Sequence, residues 1–276
     1  MTSGITRIAL FGNDGLEKAH SVATRLYADA ARFGMELFEP ENDDFTADIV
    51  VCLGGDGTFL DVAGKVGAKE IPILGINIGH LGFLVSYSEE DLRSLLKDVR
   101  NGQFEVTNHN VLEVSSDDLE LRGYPFALNE VAILKHDVSS MINISASVDG
   151  EFLTTYMADG LIVGTPTGST AYSLSVGGPV IVPMLDAMVL TPVAPHSLNM
   201  RPLVIGGDAV VELNVKSRSG SFLISLDGRS HGCRDDVRLK VRKADYKVKV
   251  VTHGGRSFFS SLRDKLMWGM PTYGRR

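Results

Sequence analysis

The 276-residue sequence has only two cysteines, Cys52 and Cys233, too few for a disulfide framework, and its seven histidines form no ligand-like pair such as H-x-x-x-H. Neither a structural metal nor a disulfide scaffold is therefore expected. No apolar run approaches the ~18 residues needed to cross a bilayer. The opening Met1-Thr2-Ser3-Gly4-Ile5 lacks a basic region followed by a long apolar stretch. Both absences point to a cytoplasmic protein without a membrane partner. Positive charge is also short. A formal net charge of −7 argues against non-specific nucleic-acid binding and against docking on an anionic membrane. The two best-known phosphate loops, G-x-x-x-x-G-K-[ST] and G-x-G-x-x-G, are missing. So are internal repeats, low-complexity segments and a flexible linker. What remains is 44% hydrophobic and 22% charged, the balance of a soluble globular protein long enough for two domains.

The chain is organised around Asp48 to Leu60. Ile49-Val50-Val51-Cys52, with Leu53 following, reads as a strand buried on both faces, as in parallel sheets. Gly54-Gly55-Asp56-Gly57 then breaks it, and after Thr58 the pattern resumes as a helix through Val66. A strand, a glycine loop and a helix N-terminus make a phosphate cradle. An acidic Asp56 inside such a cradle repels phosphate unless it has chemical work. A lone GGDG tetrapeptide is equally a tight turn with a capping aspartate, so other stretches must decide.

In chain order, Thr6–Phe11 reads as a first strand. A helix follows, with Leu16, Ala19, Ala23, Leu26, Tyr27 and Ala30 on one face, Asp14 and Glu17 at capping spacing and Gly34 beyond its end. Met35–Phe38 is a second strand, and Glu39 to Asp44 a solvated acidic loop. After the glycine loop and its helix, Ile71–Asn77 is another short strand, leading into Gly79-His80-Leu81-Gly82-Phe83-Leu84. A helix over Ser88–Asn101 buries Leu92, Leu95, Leu96 and Val99. This alternation implies a parallel sheet with ligands at the carboxyl ends of its strands, where Gly54–Thr58 lies.

From about Gly102 the pattern becomes antiparallel β. Ile142, Ile144, Ala146 and Val148 alternate with polar residues up to an Asp149-Gly150 turn. Val211, Leu213 and Val215 do likewise, as do Val237, Leu239 and Val241, then Tyr246, Val248 and Val250. Ser219-Gly220 and Asp227-Gly228 are further turns, and Cys233 falls in a charged turn. The expected division is residues 1–101 as an α/β domain and 102–255 as a mainly β domain, with a short helix within 256–276 returning to the first. In the β region, Asp159-Gly160 begins an apolar strand that ends in Thr165-Pro166-Thr167-Gly168-Ser169-Thr170-Ala171-Tyr172-Ser173-Leu174-Ser175. Its hydroxyls can donate and accept, and Tyr172 can pack against a planar base. Taken alone, T-P-T-G-S is more often a plain Ser/Thr turn. Asn129-Glu130 sits inside the apolar run Phe126–Leu134. Neighbouring residues in a strand face opposite sides, so one of the two can face solvent for no functional reason.

Taken together, Gly54–Thr58, Gly75-Ile76-Asn77 with Gly79–Phe83, Asn129-Glu130, Asp159-Gly160 with Thr165–Ser175, and Gly177-Gly178-Pro179 resemble the NAD kinase family in order and spacing across nearly the whole chain. The GGDG element is shared with diacylglycerol and sphingosine kinases and 6-phosphofructokinases. Thr165–Ser175 combined with Asn129-Glu130 resembles NAD kinases specifically. The resemblance implies an active site between two domains, ATP as donor and NAD as acceptor. It implies Asp56 as the base that takes the proton of the 2′-hydroxyl of the adenosine ribose. Gly54, Gly55, Gly57 and Thr58 would lie near the donor phosphates. Gly57, Asn129, Glu130, Asp159, Thr170, Ala171, Tyr172, Ser173, Leu174 and Ser175 would hold NAD, with Ala194 and Arg229 as further contacts. Family members form dimers or tetramers in which a neighbour completes the NAD pocket, and Ala194 lies in the corresponding segment Thr191–Ser197. Met157, two residues before Asp159, stands where some members carry Arg or an aromatic, and bears on the choice between NAD and NADH.

The residues suit that chemistry independently. Phosphoryl transfer to a hydroxyl asks mainly for positioning, charge stabilisation and one base near the nucleophile. Mg²⁺ is implied through the donor phosphates, since it usually takes few protein ligands. The alternatives are another GGDG kinase, for a lipid or a sugar phosphate, and a non-catalytic nucleotide sensor. The negative charge and the lack of a basic amphipathic helix oppose a lipid kinase. No T-I-D-N-D type motif supports a phosphofructokinase. A pure sensor would have no need of Asp56.

Overall fold

The computed structural model describes residues 5–12, 17–79, 82–85, 87–88, 92–116, 124–137, 140–235, 237–252 and 257–269. It divides into two compact units, Met1–Asn108 with Val248–Arg276, and His109–Lys247. The first unit opens with β1 (Arg7–Gly12), α1 (Glu17–Arg32), β2 (Glu36–Phe38), β3 (Ile49–Gly54), α2 (Asp56–Val66), β4 (Ile73–Asn77), β5 (Tyr87–Ser88) and α3 (Leu92–Arg100). Its strands pair in parallel in the order β2-β1-β3-β4. All six residues of β3 are buried, as a strand covered on both faces requires. The order reverses between β1 and β3, the switch point at which open α/β sheets receive ligands.

Two local expectations change. α1 buries Ala19, Val22, Leu26 and Ala30, while Tyr27 is 38% exposed and its hydroxyl lies 3.4 Å from Glu39. The buried stripe at 3.6-residue spacing runs through Val22 instead, which leaves Tyr27 at its edge. Leu16 and Asp14 lie outside the described residues. Ser88 does not open a helix; with Tyr87 it forms a short parallel pairing to Ile76 and Asn77 of β4. α3 buries Leu92, Leu95, Leu96 and Val99.

The second unit takes up β6 (Glu105–Ser115) and continues with β7 (Phe126–Ala127), β8 (Glu130–Lys135), β9 (Ile142–Val148), β10 (Glu151–Ala158) and β11 (Gly160–Gly164). A 3₁₀ turn (Thr167–Thr170) and the single-turn helix α4 (Tyr172–Ser175) follow. Then come β12 (Ala187–Val193), β13 (Leu203–Gly206), β14 (Val211–Lys216), β15 (Ser221–Leu226), β16 (Arg229–Arg234) and β17 (Arg238–Thr252). Strands β13-β12-β11-β8-β15-β16 form an antiparallel sheet. Strands β10-β9-β14-β17 pair antiparallel as well. The inward residues of both sets meet in one core, with Ile144, Leu213 and Leu239 against Leu161, Phe222 and Ile224. The β9–β10 hairpin turns on Asp149 (φ 53°) and Gly150 (φ 81°), both left-handed as a type I′ turn demands. Cys233 is not in a turn but in β16, buried in this core. Arg234 beside it is exposed.

The end of β17 pairs in parallel with β4 at Val250 and Ile73. The chain then closes the first unit with α5 (Phe258–Leu266), whose N-cap Ser257 accepts the Ser260 N–H at 3.2 Å.

Candidate active site

In the first unit β3 delivers Gly54 to the carboxyl edge of the sheet. Gly55 is extended (φ −106°, ψ −172°) and serves as N-cap without a side-chain hydrogen bond, so α2 starts at Asp56 rather than after Thr58. The acidic residue is therefore the first helical residue. The early amides of α2 have no intrahelical partner and leave a positive dipole end at the loop. Gly54 lacks the Cβ that would collide with the Thr58 side chain.

The Asp56 carboxylate is held by backbone from further along the chain. Phe83 N–H donates to Oδ2 at 2.7 Å, and Leu84 and Val85 N–H donate to Oδ1 at 3.0 and 3.2 Å. A Cβ on Gly82 would overlap this carboxylate, so glycine is required there by close approach. With one N–H bond on Oδ2 against two on Oδ1, Oδ2 keeps a lone pair for a proton. Lys265 Nζ lies 3.9 Å from Oδ2 and 4.0 Å from the centre of the Phe83 ring. Burial lowers the Lys265 pKa below its ordinary value, against the opposing pull of Asp56. Asn77, beside Gly54 in the sheet, uses its Oδ1 to accept the Gly79 N–H at 2.8 Å. At the β1/β3 switch point a cavity of about 410 Å³ opens between Phe11, Gly12, His20, Glu39, Leu53 and Lys65.

In the second unit Asn129 and Glu130 are both buried, 9% and 8% exposed. The expectation that one of the two faces solvent fails because β8 begins only at Glu130, so Asn129 lies in the bend before it and escapes strand alternation. Asp227 fixes this dipeptide. Its carboxylate accepts the N–H groups of Leu128 (2.7 Å), Asn129 (2.8 Å) and Glu130 (3.1 Å), while its own N–H donates to Glu130 O at 3.1 Å. The Glu130 Oε2 is buried and has no hydrogen-bond partner among the described residues. Burial first, then the Asp227 charge, raise the Glu130 pKa to about 7. An orphaned, dehydrated acceptor of this kind is a place for a ligand donor.

The hydroxyl-rich loop is mostly spent on itself. Thr165 Oγ1 donates to Leu128 O at 2.6 Å, Ser169 Oγ to Pro166 O at 2.6 Å and Ser175 Oγ to Tyr172 O at 2.7 Å. Thr170 donates to Thr167 O at 3.3 Å, and Thr167 meets the buried His109 at 2.8 Å. Burial lowers the His109 pKa to about 4, which keeps that ring neutral. Ser173 is fully buried and bonded to Thr191 at 2.8 Å. These bonds bring Gly168 against the Asn129 carbonyl, too close for a Cβ. Tyr172 is 36% exposed at the start of α4, with Ala171 as its N-cap and Leu174 donating to Ala171 O.

Asp159 lies between β10 and β11, paired with Lys135 at 2.7 Å. Ala194 follows β12 in the left-handed region (φ 43°), and Met157 is exposed. Arg229 is engaged with its own unit, donating to Leu226 O, Tyr124 O and Phe126 O at 3.1, 3.1 and 2.6 Å and lying over the Tyr124 ring. Sequence reasoning read Asp227 as a turn residue only and passed over Lys265. The Asp-Gly pair announces a turn but not its distant partners, and Lys265 sits in no locally distinctive pattern.

Two family descriptions match the chain: the ATP-NAD kinase N-terminal domain over residues 14–104 and the ATP-NAD kinase C-terminal domain over residues 128–253. An NAD kinase of Bacteroides fragilis is 47% identical, over 95% of this chain and 98% of its own. An NAD kinase of Porphyromonas gingivalis is 46% identical, over 80% of this chain and 76% of its own. The crystal structure of an NAD kinase from Archaeoglobus fulgidus in complex with ATP has a TM-score of 0.79 at 28% identity, covering 95% of this chain and 99% of that one. Yeast NADH kinase complexed with NADH shares the fold, with a TM-score of 0.87 at 22% identity over 100% of this chain and 91% of that one.

Proposed function

This chain belongs to the ATP-NAD kinase family, and from that premise we propose how its own residues divide the work. The activity is that of an NAD kinase, a phosphotransferase that makes NADP from NAD. The reading proposed here is transfer of the terminal phosphate of ATP to the 2′-hydroxyl of the adenosine ribose. Asp56 takes that hydroxyl proton on Oδ2. Gly54, Gly55, Gly57 and Thr58, at the uncapped start of α2, receive the donor phosphates. Asn129 and Glu130 bind the ribose hydroxyls of NAD, Glu130 through its unpartnered Oε2. Tyr172, exposed at the start of α4, packs against a ring of the nucleotide, with Asp159, Thr170, Ala171 and Ser175 around it. The buried Ser173 and the carbonyl-bound Arg229 act by holding this pocket in shape.

One observation carries the reading. An acid stands as the first residue of a helix whose amides call for an anion, and its carboxylate is fixed by three N–H groups with one lone pair spare. Phosphate binding alone would have no use for it. Among the described residues no three His, Cys, Asp or Glu side chains cluster as a metal site. A Mg²⁺ carried on the ATP phosphates would need few protein ligands and would neutralise phosphate charge.

The test is NADP formation by the purified protein with ATP, Mg²⁺ and NAD, with and without chelator, beside Asp56→Asn. The substitution keeps the shape and removes a base, whose contribution is typically ~10²–10⁴-fold in rate. It should lower kcat by that order and leave NAD affinity within a few-fold. Loss of NAD binding with kcat intact would reverse the roles of Asp56 and Glu130.

A further inference from the structure

The lysine nearest the acid departs from the ion pairs elsewhere in this protein. Lys135 meets Asp159 at 2.7 Å, Lys243 meets Asp208 at 2.6 Å and Asp186 at 2.8 Å, and Lys249 meets Glu70 at 3.1 Å, all direct charge-assisted hydrogen bonds, while the exposed Lys240 and Glu212 stand 3.5 Å apart. Lys265 stops 3.9 Å short of Asp56 Oδ2, beyond hydrogen-bond reach. Its side chain is only 13% exposed, drawn out of solvent over the face of Phe83. Its contacts are that distant carboxylate and that ring, and it makes no hydrogen bond among the described residues. An ammonium carries three donors, and dehydrating it without using them is costly. A lysine serving only to neutralise Asp56 would close the gap. This one is held at the distance that leaves room for a third group.

We infer that Lys265 is a second catalytic residue of the transfer, its ammonium meeting the terminal phosphoryl group of the donor beside the oxygen of Asp56 that takes the acceptor proton. The inference rests on the kinase reading above. In the step, the acceptor hydroxyl oxygen forms a bond to the terminal phosphorus and the bond from that phosphorus to the bridging oxygen of the donor breaks. The hydroxyl proton passes to Asp56 Oδ2, and the nucleoside diphosphate, ADP, leaves with the bonding electrons. When Asp56 gains the proton its negative charge is lost, and the full charge of Lys265 turns to the phosphoryl oxygens. α5 holds the cation in place beforehand, so no reorganisation is needed at the moment of transfer.

The experiment compares Lys265→Met and Lys265→Arg with the parent enzyme, measuring kcat, KM for NAD, the ratio of ATP to ADP affinity, and melting temperature. Removing one preorganised donor to developing charge costs about 10²–10³-fold in kcat. The Met variant should lose that much, keep its KM for NAD, and lose affinity for ATP more than for ADP. A packing role would weaken both nucleotides alike. In the parent, kcat should fall on the alkaline side as Lys265 loses its proton, at a pH below the ordinary lysine range. In Lys265→Arg that limb should move upward, because the guanidinium stays charged. Should the Met variant fail to fold, the alkaline limb of the Arg variant decides. Unchanged kcat in a folded Met variant, or an alkaline limb identical in parent and Arg variant, overturns the inference. A parent enzyme that makes no NADP overturns the kinase reading instead.

Discussion

Glu130, proposed above to bind NAD, is maintained at a cost to the fold. Its carboxyl is taken from an ordinary 4.5 to about 7 by burial and by Asp227. That shift corresponds to roughly 3 kcal/mol against folding once the group is ionised. The sign is that of a raised acid. Below the unfolded value both states are protonated and nothing is lost. Between there and about 7 the folded protein holds a proton that the unfolded chain releases, so stability declines as pH rises. Removing the carboxylate should therefore shift the balance: from pH 5 to pH 8 the melting temperature of Glu130→Gln should gain on that of the parent, read by calorimetry without ligand. A charge-assisted bond to a ligand hydroxyl is worth roughly 1.5–3 kcal/mol, so the same variant should bind NAD about ten- to a hundred-fold more weakly. A variant that neither gains on the parent at high pH nor loses NAD affinity would show that Glu130 is packing.

At the scale of elements, the β15–β16 turn matters more than its length suggests. Asp227 (φ 47°) and Gly228 (φ 84°) make a left-handed pair, and Arg229 follows. The turn thereby presents a carboxylate to the amides of residues 128–130 and a guanidinium to the carbonyls of Tyr124 and Phe126. Both rows of backbone polar groups around β7 and the start of β8 are held by one hairpin turn. Asp227→Asn replaces one of two acceptor oxygens by an NH₂ facing N–H donors, and each buried N–H left unpaired costs about 1–3 kcal/mol. The variant should have a lower denaturant midpoint and a KM for NAD raised about ten-fold, since a pocket residue moved by even an ångström loses its geometry. An unchanged midpoint would mean that water or a rearranged turn satisfies those amides. The turn itself was legible, because Asp-Gly is a hairpin signal by composition. Its partners, 97 to 99 residues away in the chain, were not. The start of α2 lies earlier than the sequence pattern indicates for a related reason: an extended glycine N-cap has no side chain to announce it.

At the scale of the whole molecule, assembly follows from the kinase reading rather than from either unit. If a neighbouring subunit completes the NAD pocket near Ala194, the active enzyme is a dimer or tetramer. Light-scattering mass at assay concentration should be a multiple of 29.8 kDa. A fully active species at the mass of one chain would refute that arrangement.

Periodicity and turn chemistry determined the α/β pattern before about residue 102 and the antiparallel pattern after it, because burial on one face or two is written into neighbouring residues. Glycines around one acid, then an amide beside a carboxylate and a hydroxyl-rich loop, determined where the proposed chemistry is placed. Only the tertiary structure decided the state of those groups. Long-range backbone amides from residues 83–85 fix Asp56, Asp227 fixes Asn129 and Glu130, and the loop hydroxyls turn inward to the protein. Hydrogen bonds between distant segments and the removal of water from a carboxylate depend on how the chain closes on itself, which no local pattern of residues encodes.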